Sequence, residues 1–140
     1  MSELPVLFPG QAGPFFGMEH FPGKHRIARV EVLVTGYSVS STSEYQQVTV
    51  LSKHLSGHSG ESETFWGEIR NDSSETLQSV KVVVWSIHPD GDIRPAVAQL
   101  GQTTLAPGET TTYTAGVFVY TYYPPYLSEV DVVGQGEVVR

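Results

Sequence analysis

The chain contains no cysteine, which removes disulfide bridges, thiolate zinc ligands and a cysteine nucleophile at once. Charge is also scarce, with only 16% of its 140 residues Asp, Glu, Lys or Arg. Basic residues number 8 against 15 acidic ones, for a formal net charge of -7. Such a chain lacks the basic footprint that a phosphate backbone requires, so nucleic acid is not expected as a partner. The same sign repels an anionic bilayer, and no apolar run approaches the length of a membrane span, so membrane insertion is not expected. The opening Met1-Ser2-Glu3-Leu4-Pro5 lacks the basic start and apolar core of a signal peptide. Helical periodicity is missing from end to end. What the sequence has instead is turn chemistry between short apolar runs.

The first 26 residues differ in kind from the rest. Pro5, Pro9, Pro14 and Pro22 alternate with Gly10, Gly13, Gly17 and Gly23, which excludes a helix or a central strand. Phe8, Phe15, Phe16, Met18 and Phe21 make this extended arm too apolar for a flexible linker. Leaving one large apolar side chain in water forgoes roughly 1.5–3 kcal/mol. The arm is therefore expected to lie on its own body, on a neighbouring subunit or on a larger assembly, with those five side chains as its contact residues.

Residues 27–140 read as one β-rich domain. From Ile27 apolar and polar residues alternate, with Val30, Val32 and Val34 on one strand face until Gly36. Further strands are expected at 45–51, 63–70, 79–88, 93–101, 110–122 and 128–139, with a Ser/Gly/His/Glu loop over 52–63. Pro95 marks the strand at 93–101 as an edge. About seven short strands with Gly/Pro turns predict an all-β fold, an antiparallel immunoglobulin-like β-sandwich. In its central strand Val80, Val82 and Val84 point one way and Val83, Trp85 and Ile87 the other. A strand apolar on both faces is either covered on both or half exposed for binding, and the second face is expected to be covered by the arm or by loops.

The stretch Phe65–Gly91 holds the strongest local signals: two β-rich runs around a polar turn at 71–75, closing on Pro89-Asp90-Gly91. It reads as a hairpin or as a crossover between sheets. Gly67-Glu68-Ile69-Arg70-Asn71, the run Leu77–Val84, Asp90-Gly91, and Leu105-Ala106-Pro107-Gly108-Glu109-Thr110 followed by Tyr113 resemble the FxLYD family of immunoglobulin-like domains, and more loosely CARDB domains. Asn71 suits an Asx turn, Pro107-Gly108 a type II turn, and Tyr113 then faces inward. The positions that name the family fall on Val84-Trp85-Ser86-Ile87-His88, where none of its letters occurs. The resemblance implies a sandwich without catalytic residues, of a kind found mostly in extracytoplasmic accessory modules.

Candidate chemistry is sparse. His54 and His58 sit four apart but around Leu55-Ser56-Gly57, which does not favour a helix, and two ligands do not make a zinc site. Asp90-Gly91-Asp92 has too few oxygen ligands for a calcium loop and reads as a turn. No Gly-x-Ser-x-Gly elbow occurs, and Glu61, Glu63 and Glu68 read as strand-end and loop surface. No catalytic, cofactor or metal residue is expected. Aromatic rings are in excess: Trp66, Trp85, Tyr120 and Tyr122, with Tyr123 and Tyr126 beside them. On one sheet face they would form an interaction surface for a protein or a glycan.

These features point to a non-catalytic structural or interaction protein, a sandwich attached to a larger assembly through its arm. A capsid-decorating or virion-surface protein is the most specific expectation. An exported accessory or adhesion module of a cell surface and a carbohydrate-binding module are the alternatives. The expected partner is protein, by self-association or docking, with a glycan as the other possibility.

Overall fold

The computed structural model describes residues 7–12, 44–59, 62–87, 93–118 and 129–140, with the side chains of 56–59, 62, 117 and 118 left aside. Eight strands make up the described body: β1 (Tyr45–Gln47), β2 (Thr49–Ser59), β3 (Ser62–Arg70), β4 (Leu77–Ile87), β5 (Ile93–Val97), β6 (Gln99–Leu100), β7 (Thr110–Phe118) and β8 (Glu129–Val138). They form two antiparallel sheets of four, in the orders β1-β8-β4-β5 and β2-β3-β7-β6. The expected β-sandwich is therefore what the chain forms. The strand expected at 27–36 lies outside the described residues.

One core fills the space between the sheets. Leu77, Val80, Val82, Val84 and Val132 come from one sheet and Phe65, Ile69, Tyr113 and Ala115 from the other, with Val48 and Leu105 completing the cluster. Alternation decides which residues face inward, because successive side chains of a strand point to opposite faces. Leu77 and Val80 are three apart yet both inward. A register shift between Gln78 and Lys81 makes that possible, and Ser79 inside it holds a φ of 50°.

β3 and β4 belong to different sheets, so the turn between them is a crossover and not a hairpin. Asn71 organises it from a fully buried position. Its Nδ2 donates to the Glu75 carbonyl at 2.8 Å and the Leu105 carbonyl at 2.9 Å. Its Oδ1 accepts from the Ser73 amide at 3.0 Å and the Ser73 hydroxyl at 2.7 Å. The Pro107-Gly108 turn locks onto the same residue, with Gly108 N donating to the Asn71 carbonyl at 2.7 Å. Gly108 has a φ of 77°, the positive value that a type II turn demands.

Three expectations are refined. Residues 52–59, expected as a loop, continue β2, because pairing with β3 from Thr49 to Ser59 imposes strand geometry on residues of low β-propensity. The segment 93–101 divides into β5 and β6, which lie in different sheets. β5 is an edge, as Pro95 requires. Finally, β1 and β2 are one run of chain that changes sheet at Val48, whose amide donates to the Gly134 carbonyl at 3.0 Å.

Candidate functional site

The outer face of the sheet β2-β3-β7-β6 carries an exposed aromatic pair. In β3 the inward positions Phe65, Gly67 and Ile69 alternate with Trp66, Glu68 and Arg70, which face solvent. Trp66 sits near the middle of this face and is 47% exposed. The register sets His54 of β2 on one side of it and Thr114 of β7 on the other. The His54 and Trp66 rings stack with centroids 4.2 Å apart and planes 24° from parallel. Gln99 of β6 continues the row beyond Thr114, and Ser52, Glu68 and Thr112 form a parallel row. Glu68 N donates to Ser52 Oγ at 3.1 Å.

Electrostatically the face is quiet. Arg70 is tied to Asp72 through two hydrogen bonds from its guanidinium. The bond from Arg70, then one from Thr49, holds the Asp72 carboxyl below its ordinary range, and the same contact raises Arg70. Glu68 is then the acidic group of the two rows that cross Trp66 and its neighbours. An apolar ring stands there among hydroxyls and an amide, an arrangement suited to contact and to hydrogen bonding.

The expected row of rings does not form on one face. Trp66 and Trp85 both point away from the core, but from different sheets, so the sandwich stands between them. The sequence reading failed here because strand parity gives the face of a strand and not the sheet to which it belongs. Trp85 is also buried, at 6% exposure, packed with Val83, Ile87 and Val133. Tyr120 and Tyr122 lie outside the described residues, as do Tyr123, Tyr126 and the Asp90-Gly91-Asp92 turn.

Of the arm contacts, Phe8 is described and Phe15, Phe16, Met18 and Phe21 are not. Phe8 to Gln11 form a tight turn: Gln11 N donates to the Phe8 carbonyl and Phe8 N to Gln11 Oε1, both at 2.9 Å. Pro9, Gly10 and Gln11 line an open cleft of about 260 Å³ together with Gln47, Val48, Val50 and Val132 to Gly134. Phe8 is half-buried, and this part of the arm lies against its own body.

Glu63 is a correction. It was expected at the surface, yet it is 0% exposed and neither carboxylate oxygen has a hydrogen-bond partner. It shares the inward parity of Phe65, Gly67 and Ile69, so alternation carries it into the sandwich in spite of its charge. Among the described residues no three His, Cys, Asp or Glu side chains come together as a metal site. His54 is engaged with Trp66, while the His58 side chain lies outside the described set. No protein-family model, curated protein or solved structure matches the chain.

Proposed function

We propose that this protein is a non-catalytic structural and interaction protein, a β-sandwich that attaches to a larger assembly. Decoration of a capsid or virion surface is its most specific form, and an accessory module of a cell surface is the alternative that the FxLYD resemblance implies. The observation that carries the reading is the half-exposed Trp66, stacked on His54 in the middle of a sheet face with Thr112, Thr114 and Glu68 as described neighbours. Tryptophan is enriched among the residues that dominate protein interfaces, and a ring at the centre of a patch is where such anchors sit. Attachment through this face also agrees with the turn at Phe8–Gln11, where the arm is engaged with its own body.

The test is a photo-reactive phenylalanine analogue at position 66, with the same group at exposed Gln102 as control. Irradiation in the source organism should give a discrete protein adduct from position 66 and none from 102. Equal or absent adducts at both positions would remove the reading.

A second reading, glycan binding, is favoured by the hydroxyl and amide groups of Ser52, Thr112, Thr114 and Gln99 on the face that carries Trp66. Glycan-array binding lost in Trp66→Ala, without protein adducts, would establish it over the first.

A further inference from the structure

Asn71 is the only asparagine of the chain, and it opens the tripeptide Asn71-Asp72-Ser73. Asn-x-Ser without a central proline is the acceptor pattern for N-linked glycosylation. Such acceptors ordinarily stand on surface loops, where the amide nitrogen can reach an enzyme and its sugar donor. Here the residue that would carry the sugar is 0% exposed. Both hydrogens of its Nδ2 are engaged, one on the Glu75 carbonyl at 2.8 Å and one on the Leu105 carbonyl at 2.9 Å. The Ser73 hydroxyl that completes the pattern stands 2.7 Å from Asn71 Oδ1. The backbone is clamped as well, with Asn71 N donating to the Glu109 carbonyl at 3.0 Å and Gly108 N to the Asn71 carbonyl at 2.7 Å.

Transfer of a sugar to this residue and closure of the crossover exclude each other. In the transfer, Nδ2 attacks C1 of the first sugar of a polyprenyl-diphosphate-linked oligosaccharide. The C1–O bond breaks, the polyprenyl diphosphate leaves with the electron pair, and one Nδ2 proton passes to a base of the transferase. The product nitrogen keeps one hydrogen, so it serves at most one of the two carbonyls. The sugar would also need the space in which the main chain of Glu75 and Leu105 is packed against Nδ2. Freeing the side chain takes more than a local loop motion. Leu105 is tied to Leu77 by two backbone bonds, at 2.8 and 2.9 Å, and both residues are fully buried members of the core. Exposing Nδ2 thus opens the crossover, the Pro107-Gly108 turn and one end of the core as a unit. We propose that Asn71 is an N-glycosylation site of the unfolded chain alone: the closed fold withholds it, and a glycan attached beforehand keeps the crossover from closing. In a compartment that holds such a transferase, the order of folding and transfer decides whether the sandwich forms. This inference does not depend on the role proposed for Trp66.

The experiment offers the full chain to a purified oligosaccharyltransferase of Asn-x-Ser/Thr specificity, with a polyprenyl-diphosphate-linked oligosaccharide as donor, and follows product mass. A peptide of residues 66–78 is the unfolded reference, which depends on the folding of no variant. The peptide should gain one glycan at Asn71. The folded chain should be modified roughly a thousand-fold more slowly or less, in step with the unfolded fraction of a stable domain. Gly67→Ala, whose added Cβ would meet the Ser52 carbonyl, should lie between them, with its rate following its unfolding midpoint. Glycosylated full-length molecules, separated on a lectin column, should be cut by thermolysin at concentrations that the unmodified chain survives. A full chain modified as fast as the peptide would overturn the proposal, as would a peptide that takes no glycan. So would a glycosylated chain that resists thermolysin and melts with the unmodified one.

Discussion

The hydroxyl of Tyr113 donates to the backbone carbonyl of Ser52 at 3.0 Å, reaching over β3 at the one inward position that has no side chain, Gly67. Tyr113 is paired with Gly67 in the register, and Gly67 with Lys53, so the phenol spans three strands. A Cβ at Gly67 would collide with the Ser52 carbonyl oxygen and stand 2.7 Å from the Tyr113 hydroxyl. Backbone is the obstacle, so the neighbour cannot simply rotate away. Gly67→Ala should therefore destabilise the domain by roughly 1–3 kcal/mol, the range of overpacked cores. Urea denaturation of the two proteins measures it, and equal midpoints would contradict the close approach.

The same phenol gives an alkaline dependence. Burial pushes the Tyr113 hydroxyl up to about 12, whereas an unfolded tyrosine ionises near 10. Between those values the unfolded chain has released its proton and the folded chain has kept it, so stability falls as pH rises. Native stability measured across pH 9–12 should decline more steeply than that of Tyr113→Phe. The variant itself should start lower by about 1 kcal/mol for the lost donor. Parallel curves would mean that Tyr113 titrates no differently when folded.

Asn71→Ala should be among the most damaging polar substitutions. It removes the donors of two backbone carbonyls and the acceptor of Ser73, all converging on one buried side chain. Leaving buried groups without partners costs roughly 1–3 kcal/mol each, so a loss of about 3 kcal/mol is expected in equilibrium unfolding. Asn71→Asp keeps the acceptor but turns a buried carboxylate oxygen toward the Glu75 and Leu105 carbonyls, and should cost at least as much as Asn71→Ala.

Glu63→Leu should have the opposite sign. A buried carboxylate without a hydrogen-bond partner is expensive, and apolar replacement of buried charge commonly stabilises by about 1–4 kcal/mol. A higher melting temperature at pH 7 is the expected result. A lower one would show that the carboxylate is held by a favourable contact.

Ser79 sits at a φ of 50° inside the β4 bulge, where side chains other than Gly, Asn or Asp are uncomfortable. Ser79→Gly should stabilise by up to about 1 kcal/mol, because the relieved strain outweighs the added freedom of the unfolded chain. Ser79→Val should do the reverse. Thermal unfolding of the pair brackets the parent if the bulge is as described.

What could be read in advance was local. Alternation in Val80–Ile87 gave both faces of β4, Pro107-Gly108 gave its turn, and Asn71 gave its Asx geometry, because each depends on residues close in sequence. Residues 52–59 were misread because Ser, Gly and His have little β-propensity, and the strand there is imposed by pairing with β3. The separation of Trp66 from Trp85 was not legible at all. It depends on β3 and β4 entering different sheets, a choice made by the whole core and not by either strand. Glu63 was the subtler failure, since its parity argued for burial and its charge against, and the parity prevailed.

The change of sheet at Val48 has a mechanical consequence. Residues 45–47 are held by β8 in one sheet, and from Thr49 onward the chain is held by β3 in the other. Sliding the two sheets past each other would stretch the covalent backbone at Val48, so shear between the layers is opposed by chemical bonds as well as by packing. Tension applied at Glu44 would reach the three β1–β8 pairs before any of β2. The first rupture would then be a small peeling step that leaves the second sheet intact, a graded yield in place of a single collapse.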